Sequence, residues 1–321
     1  KYLVPSKARI KLTRLCNLDC KMCYAKRNKE ENSLSFDIIK KLLFQLKRFG
    51  VKTIILSGGE PLLRKDFEKI ISEINKNNFK GVLMTNGTLL NNKICEILMK
   101  NDWEVSVSLD GHNRKINDEI RGEGSFTLID KSLKNLIKNR DKYKSGRVVS
   151  NSVIQDINYK NLNDIATYIT ELGLNNFYFN FIAPLDKFKN KKQFLNLLSK
   201  NYYSSAVTNN IFNLDLVFDY LKIDKSHEKI LDTFFKNNDV ICFACDEILI
   251  DYDCNVYSCC SHLHQGKNIV GNIKHKDIEQ IFYGEKFNNL RKEMLSLNSH
   301  LCHGCEMIFK YNSISKYIHK R

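Results

Sequence analysis

The chain contains the run Leu15-Cys16-Asn17-Leu18-Asp19-Cys20-Lys21-Met22-Cys23-Tyr24 near its start. Cys16, Cys20 and Cys23 have the spacing Cys-x3-Cys-x2-Cys, which places three thiolates within eight residues. Such a set can bind three irons of a [4Fe–4S] cluster and leave the fourth iron open to a small molecule. Zinc is the alternative, although structural zinc takes four ligands and no fourth Cys or His lies close by in sequence. The spacing favours the cluster and leaves zinc open.

The composition is that of a globular chain with metal-ligating cysteines. Of the 321 residues, 43% are hydrophobic, and no apolar run approaches the length of a membrane helix. The first residues lack the apolar segment of a signal peptide, so we expect a cytoplasmic protein with no membrane partner. Eleven cysteines in such a chain favour metal ligation or redox work over disulfides.

The formal net charge is +15, which permits attraction to RNA or to an acidic peptide. No compact basic block interleaved with aromatic residues is present in the sequence. Nucleic acid is therefore not an expected partner.

Residues 1–184 alternate β-rich runs with amphipathic helical runs. The predicted strands are Ala8–Leu12, Lys52–Leu56, Gly81–Met84, Val105–Leu109, Arg147–Ile154 and Asn176–Ile182. The predicted helices are Phe36–Phe49, Phe67–Ile74, Lys93–Met99, Phe126–Ile137 and Leu162–Leu172. Six strands that alternate with helices predict an α/β fold whose parallel sheet winds into a barrel or partial barrel with helices outside.

The unusual residues follow the predicted strands. The cysteine run comes after the first strand, Ser57-Gly58-Gly59-Glu60-Pro61 after the second, Thr85-Asn86-Gly87 after the third and Asp110-Gly111 after the fourth. Loops that follow parallel strands meet at one face of a barrel, and that face carries the chemistry. The sequence therefore predicts one site built from these four loops.

As a set, these motifs and Ser106-Val107-Ser108-Leu109 resemble the radical S-adenosylmethionine superfamily. The resemblance implies a (β/α)6 partial TIM barrel, in which the amino and carboxylate groups of S-adenosylmethionine chelate the open iron. An external low-potential donor supplies an electron through the cluster, the sulfonium is cleaved, and a 5′-deoxyadenosyl radical abstracts a substrate hydrogen. Iron–sulfur clusters reach the low potentials that this cleavage needs, whereas zinc has no redox chemistry.

The resemblance assigns cofactor contacts to Tyr24, Gly58, Gly59, Glu60, Asn86, Ser108 and Arg121. The two glycines allow close approach of the backbone to a ligand, and Glu60 offers an acceptor for an ammonium group. Asn86 and Ser108 lie at strand ends, where they could bind the ribose or the carboxylate. Arg121 resembles a family position where a guanidinium meets the cofactor carboxylate. Turn formation, capping and an ordinary surface position are the alternatives for these residues.

Seven of the eleven cysteines lie between residues 242 and 305. We predict a helical connecting region at 185–240, a small auxiliary domain at 241–310 and a C-terminal tail at 311–321. The later cysteines resemble the twitch or SPASM extension of radical enzymes that modify peptides. That resemblance implies an auxiliary [4Fe–4S] cluster, and so two clusters in all, with the second bound by Cys242, Cys259, Cys302 and Cys305. Cys254 and Ser258 depart from the usual Gly and Pro of the extension, and a four-Cys zinc site that uses Cys245 is the alternative.

Cys260 follows an auxiliary ligand, where anaerobic sulfatase-maturating enzymes have an Asp base and radical peptide epimerases have a Cys. The resemblance implies a hydrogen-atom donor to an α-carbon radical; an inert thiol is the alternative. We therefore expect an enzyme that acts on a ribosomally made peptide, with Cα epimerisation as one outcome. Thioether or carbon–carbon crosslinking, small-molecule dehydrogenation, and a non-enzymatic zinc protein that binds nucleic acid remain alternatives.

Overall fold

The computed structural model describes residues 4–23, 32–182, 187–211, 247–258 and 268–295. The strands are β1 (Lys7–Lys11), β2 (Thr53–Ser57), β3 (Lys80–Thr85), β4 (Glu104–Ser108), β5 (Arg147–Ile154), β6 (Asn176–Phe181), β7 (Glu247–Ile250), β8 (Asn255–Tyr257) and β9 (Ile269–Asn272). The helices are α1 (Phe36–Phe49), α2 (Phe67–Lys76), α3 (Asn92–Lys100), α4 (Arg114–Arg121), α5 (Ser125–Tyr143), α6 (Leu162–Leu172), α7 (Lys191–Ser199), α8 (Ser205–Thr208), α9 (Ile278–Phe282) and α10 (Glu285–Leu295). None of these helices is long and apolar enough to cross a membrane.

In this part of the chain the strands form one sheet, in the order β6-β5-β4-β3-β2-β1-β7-β8-β9. The first six strands pair in parallel, each with the next along the chain. Their carboxyl ends therefore lie at one edge, which carries the four loops named above. The predicted α/β partial barrel is confirmed.

Alternation along the strands separates the apolar core from a more polar face. Val105 and Val107 of β4 are fully buried in the core that the helices cover. Ser106 and Ser108 point to the opposite side of the same strand, because successive side chains alternate across a sheet. On the concave face of the barrel, β4 therefore presents two hydroxyl groups, with that of Ser108 at the carboxyl edge.

The first helix shows why the sequence pattern was readable. Ser35 caps α1 by accepting a hydrogen bond from the Ile38 N–H, and Gly50 ends the helix at φ +96°, a left-handed conformation that favours glycine. Between these signals, apolar residues at helical spacing, such as Leu42 and Leu46, are buried in the core. The predicted bounds of this helix match those observed.

The helices around the fourth loop differ from the prediction. The sequence pattern predicts no helix over α4, and it predicts a helix over Phe126–Ile137, where α5 runs from Ser125 to Tyr143. The buried residues of α4 are Asn117, Ile120 and Arg121. Its eight residues include only two apolar ones, Ile116 and Ile120, which are too few to show the repeated helical pattern by which longer amphipathic helices are recognised.

The C-terminal strands extend the barrel sheet. β7 pairs in parallel with β1, β8 pairs antiparallel with β7, and β9 pairs antiparallel with β8. An ion pair between Arg9 of β1 and Glu247 of β7 joins these two strands. Phe49 of α1 meets Phe282 of α9 edge to face, with ring centroids 5.1 Å apart. The described part of the predicted auxiliary domain is thus continuous with the barrel, and the boundaries of the four predicted regions remain predictions.

Candidate active site

The three N-terminal cysteines lie on the loop after β1, at the carboxyl edge of the sheet. Cys16 and Cys20 are partly buried, and Cys23 is exposed. Burial raises the pKa of the Cys20 thiol to about 11, against the lowering effect of the Arg121 guanidinium. Thiols must lose their proton to bind a metal. The positive charge of Arg121 therefore favours the metal-binding form of Cys20.

Within the ranges described above, no three His, Cys, Asp or Glu side chains converge on a position that one metal ion could take. A [4Fe–4S] cluster makes a different demand, because each thiolate binds its own iron. Cys16 lies close enough to Cys23, and Cys20 to both, for their charges to interact. Three neighbouring thiols fit a four-iron cluster with one open iron.

Gly58 and Gly59 allow the second loop to pack directly on the cysteine loop. The Gly59 N–H donates to the Thr13 carbonyl at 2.8 Å, and the Glu60 N–H donates to the Leu15 carbonyl at 2.7 Å. A Cβ on Gly59 would lie 2.1 Å from the Leu15 carbonyl oxygen, and one on Gly58 would lie 2.5 Å from that of Thr13. This packing alone accounts for both glycines, and their contact with a cofactor stays a prediction.

Glu60 ties the second loop to the third. Its side chain is fully buried and accepts hydrogen bonds from Thr85 Oγ1 at 2.7 Å, the Asn86 N–H at 2.8 Å and the Leu62 N–H at 3.1 Å. Burial raises the pKa of Glu60 to about 7, and the three donors oppose that rise. Both carboxylate oxygens already accept hydrogen bonds from the protein, and these bonds hold the second and third loops together. The predicted contact with an ammonium group would be a further hydrogen bond to the same carboxylate.

Asn86 connects the third loop with the first cysteine. Its Nδ2 donates to Asn17 Oδ1 at 2.9 Å and lies 3.9 Å from Cys16 Sγ, within hydrogen-bond reach of sulfur. Its Oδ1 accepts from the Thr88 N–H at 2.9 Å and from Thr88 Oγ1 at 2.7 Å. The side chain is thus held beside Cys16, and its predicted contact with ribose or carboxylate stays a prediction.

Arg121, at the end of α4, is buried in the site rather than exposed at the surface. Its Nη2 lies 2.7 Å from Asp110 Oδ2, and its Nη1 lies 3.9 Å from Cys20 Sγ. Its Nε is buried and has no hydrogen-bond partner. The guanidinium therefore has an N–H available for an acceptor such as a carboxylate, and its contact with the cofactor carboxylate stays a prediction.

Asp110 is the acid of this pair, and sequence reasoning noted it only as part of a turn. Its Oδ1 accepts from the Val153 N–H at 2.6 Å, and its backbone N–H donates to Asn117 Oδ1 at 3.0 Å. Burial raises the pKa of Asp110, and Arg121 opposes the rise. The Asp110-Gly111 dipeptide after a predicted strand was the signal that could have identified this role.

A second acid, Asp118, shapes the turn after Arg121. Its carboxylate accepts from the N–H groups of Gly124 and Phe126, at 2.9 and 2.7 Å, and from Ser125 Oγ at 2.9 Å. Sequence reasoning missed this residue. Its carboxylate can reach the turn six to eight residues later only because α4 is a helix, and that helix was not predicted. The turn fixes the end of that helix and so the position of Arg121.

Two hydroxyl groups near the carboxyl edge have unused hydrogen-bonding capacity. Ser108 makes no side-chain hydrogen bond to the described residues, and Ser57 Oγ is buried without a partner. Ser108 was a predicted cofactor contact, whereas Ser57 was noted only as part of its motif. Buried polar groups in folded proteins almost always have partners, so the Ser57 hydroxyl fits a polar ligand, whereas the partly exposed Ser108 hydroxyl is also open to water.

The β7–β8 turn lies at the same edge as the cysteine loop. Arg14 of that loop lies over the Tyr252 ring, 5.8 Å from its centroid, and Asn32 donates to Asp253. Within the turn, Asp251 accepts from the N–H groups of Asp253 and Asn255 at 2.8 and 2.9 Å. The start of the second cysteine region is therefore anchored beside the first.

Cys254 adopts a left-handed backbone conformation, with φ +68°, and its side chain is 1% exposed. This conformation explains why the family pattern has Gly at the position. It also places the thiol in the apolar core that extends from the barrel. Cys254 is a packed core residue.

We expect Cys254→Gly to be more stable than Cys254→Ala by about 1 kcal/mol, which reverses the usual order of the two residues. Both variants lose the buried sulfur, but only glycine relieves the left-handed conformation. Urea unfolding of the two variants measures the difference. An alanine variant at least as stable as the glycine variant would contradict the strain.

The remaining predicted site residues lie outside the described residues. They are Tyr24, Cys242, Cys245, Cys259, Cys260, Cys302 and Cys305. Their ligand and donor roles stay predictions.

Comparison with known proteins agrees with the fold. The Radical SAM superfamily model matches residues 10–203, and the SPASM iron–sulfur cluster-binding domain model matches residues 242–306. The chain is similar to the mycofactocin maturase MftC of Mycolicibacterium smegmatis, with 33% identity over 127 residues, 39% of this chain and 32% of that protein. It is similar to the Fe-coproporphyrin III synthase of Methanosarcina barkeri, with 38% identity over 128 residues, 39% of this chain and 32% of that protein.

A longer match is to the subtilosin biosynthesis protein AlbA of Bacillus subtilis, with 30% identity over 188 residues, 56% of this chain and 40% of that protein. The match thus spans about a third of the first two curated relatives and two fifths of the third. Among solved structures, Streptococcus suis SuiB bound to S-adenosylmethionine has a TM-score of 0.66 at 20% identity, over 94% of this chain and 72% of SuiB.

The superfamily match covers the three cysteines and every described site residue up to Arg121. The cofactors are S-adenosylmethionine and two [4Fe–4S] clusters, one for each matched region. The chain belongs to the radical SAM superfamily and carries a SPASM iron–sulfur cluster-binding region after its barrel.

Proposed function

We propose that this enzyme modifies a ribosomally made peptide by abstracting a hydrogen atom from it. The observation that carries the proposal is the SPASM region that follows the barrel. Two similar proteins have names that support it, since AlbA is a bacteriocin biosynthesis protein and MftC is a maturase. SuiB, whose fold is similar, was solved with its precursor peptide SuiA, at a TM-score of 0.66, 19% identity and coverage of 89% of this chain and 66% of SuiB.

The contacts at the sheet edge support this proposal. Arg14 and Asn32 join the cysteine-loop side to the β7–β8 turn of the SPASM region. A peptide on the concave face would meet the partly exposed hydroxyl of Ser108 at the carboxyl edge. Peptide backbones need such groups, because each residue brings a donor and an acceptor. When bound, S-adenosylmethionine supplies the hydrogen-abstracting radical on reduction.

The cofactor content is the first test. Protein purified and reconstituted without oxygen is expected to be brown, with about eight iron and about eight sulfide per chain, as two four-iron clusters require. With a low-potential reductant and S-adenosylmethionine it is expected to release 5′-deoxyadenosine. A colourless protein that holds zinc would overturn the enzyme proposal in favour of a zinc-binding protein.

The substrate test uses short peptides encoded beside the gene, incubated with the enzyme in deuterated water. We propose Cα epimerisation, for which the product gains one mass unit at a single residue. In that reaction the Cys260 S–H gives a hydrogen atom to the α-carbon radical, and the resulting sulfur radical needs one electron and one proton to regain its thiol. An external reductant supplies the electron.

Replacing Cys260 with alanine is expected to abolish the mass gain while 5′-deoxyadenosine still forms. Cys254→Gly is the matched control, since it removes a buried thiol six residues away and keeps the backbone conformation. A Cys260→Ala variant that still incorporates deuterium would exclude the donor role. A product lighter by two mass units would show oxidative crosslinking, through a thioether or a carbon–carbon bond, in place of epimerisation.

A small-molecule reaction is the second candidate function. The similarity to Fe-coproporphyrin III synthase, at 38% identity, favours it. Turnover of a small molecule, with 5′-deoxyadenosine formed in equal amount and with every candidate peptide unchanged, would select this alternative.

A further inference from the structure

Arg121 has two contacts that point to a function beyond holding the cofactor carboxylate. The guanidinium side chain is 6% exposed and Asp110 is fully buried, so the pair lies away from bulk water. One arm of the fork meets Asp110 at 2.7 Å, and the other meets Cys20 Sγ at 3.9 Å. Arginine suits this geometry because its planar fork can hold two acceptors at fixed angles.

The surrounding structure keeps this geometry in place. The Lys21 N–H, next to Cys20, donates to the Ile120 carbonyl at 3.0 Å, which fastens the cysteine loop to the last turn of α4. Asp110 is itself fixed by the Val153 N–H and by Asn117. The distance between the guanidinium and the sulfur is thus set by backbone contacts on both sides.

A positive charge at this place acts on any cluster that Cys20 binds. Reduction adds one electron, and hydrogen bonds to the ligand sulfurs and nearby charge both set the potential of an iron–sulfur cluster. Charges interact strongly in a buried site, where the effective dielectric is low. Asp110 also acts on Cys20 and opposes the guanidinium, but Arg121, whose Nη1 contacts the sulfur, has the larger effect of the two.

Asn86 provides an internal comparison on the other side of the loop. Its amide also lies 3.9 Å from a ligand sulfur, that of Cys16, but it carries no charge. Hydrogen bonds from charged donors are about twice as strong as those between neutral groups. Arg121 should therefore have the larger effect of the two.

We infer that Arg121, oriented by Asp110, donates a hydrogen bond to the Cys20 ligand and raises the reduction potential of the barrel cluster. It is a positioning residue for electron transfer to that cluster, in addition to its expected contact with the cofactor carboxylate. The inference rests on the superfamily assignment and is independent of the nature of the substrate.

The test is a redox titration of the reconstituted protein, followed by electron paramagnetic resonance, without S-adenosylmethionine or peptide. The signal of the barrel cluster is the part that a Cys16/Cys20/Cys23→Ala variant lacks. At a fixed solution potential, Arg121→Gln is expected to lower the ratio of reduced to oxidised barrel cluster at least tenfold, which is about 59 mV for one electron. Arg114→Gln removes an exposed positive charge from the same helix and should leave the ratio unchanged.

Two further variants separate the sulfur contact from net charge and from folding. Asp110→Asn with Arg121→Gln leaves the net charge as it was, and its ratio should still fall below that of the wild type. Arg121→Lys keeps the charge but cannot hold both acceptors, so its ratio should lie between those of the wild type and Arg121→Gln. If Arg121→Gln fails to load its cluster, the ratio measured for Arg121→Lys tests the inference in its place.

A wild-type ratio in every loaded Arg121 variant, or in the double variant, would overturn the inference. Failure of the peptide proposal would leave the result unaffected, because the titration contains no substrate.

Discussion

Replacing Gly59 with alanine is expected to leave the protein without its barrel cluster. A Cβ at this position would lie 2.1 Å from the Leu15 carbonyl oxygen and 2.7 Å from that of Arg14. Both are backbone atoms of the cysteine loop, and a side-chain rotation cannot relieve the contact. The loop would have to move away from β2, and the three thiols would move with it.

The same displacement breaks the hydrogen bonds that hold the loops together. The Gly59 and Glu60 N–H groups donate to the carbonyls of Thr13 and Leu15. We expect a loss of about 3 kcal/mol in the free energy of unfolding, the upper end of the usual cost of overpacking. Iron should fall by about half, to about four per chain, because only the SPASM cluster would load.

Gly173→Ala is the matched control for this variant. Gly173 has φ +79°, and a Cβ there would meet no atom within 4 Å, so alanine adds backbone strain without crowding. Its cost should be about 1 kcal/mol, with normal iron content. Urea unfolding and iron analysis of the two variants give the comparison. Full iron loading in Gly59→Ala would show that the cysteine loop tolerates displacement.

The barrel was predictable because its signals are local. Strand β5 was predicted with its observed bounds, Arg147–Ile154, because a β-rich run between turn residues is visible in sequence. Helix α4 was missed because it buries Asn117 and Arg121, whose role as buried residues depends on Asp110 and on the cysteine loop. No local pattern carries that information.

The candidate site, like the fold, was predictable only where its signals are local in sequence. The spacing of cysteines and of Gly58-Gly59-Glu60 indicated one site at the strand ends, and the structure brings these loops together. The partners of each side chain were not readable, because they are distant in sequence. Glu60 accepts from a residue 25 positions later, and Arg121 meets a cysteine 101 positions earlier.

The burial of Glu60 is expected to make the free energy of unfolding depend on pH. Burial raises the pKa of Glu60 from its ordinary value of 4.5 to about 7 in the folded protein. Between these two values the folded state holds a proton that the unfolded state has lost. Stability from this group is therefore present below about 4.5 and falls as the pH rises to about 7, by up to roughly 3 kcal/mol.

Glu60→Gln removes this titration. At pH 5 we expect the variant to be less stable by about 2 kcal/mol, because the amide NH2 group would face the Asn86 N–H donor, whereas the hydroxyl oxygen of a protonated Glu60 can still accept from it. At pH 8 the gap should narrow or reverse, since the wild type then buries a charge. Urea unfolding at the two pH values measures the gap, and the exposed Glu123→Gln is the control, with no change expected.

Taking the difference between wild type and Glu60→Gln cancels the other buried acids, whose pKa values burial also raises, namely Asp110 and Asp251. A gap that widens with pH would show that the three donors outweigh burial and keep Glu60 ionised. An ionised Glu60 would be the better acceptor for the cofactor ammonium group. Whether the stability gap between wild type and Glu60→Gln narrows or widens with pH therefore decides the charge state in which Glu60 joins the second and third loops of the site.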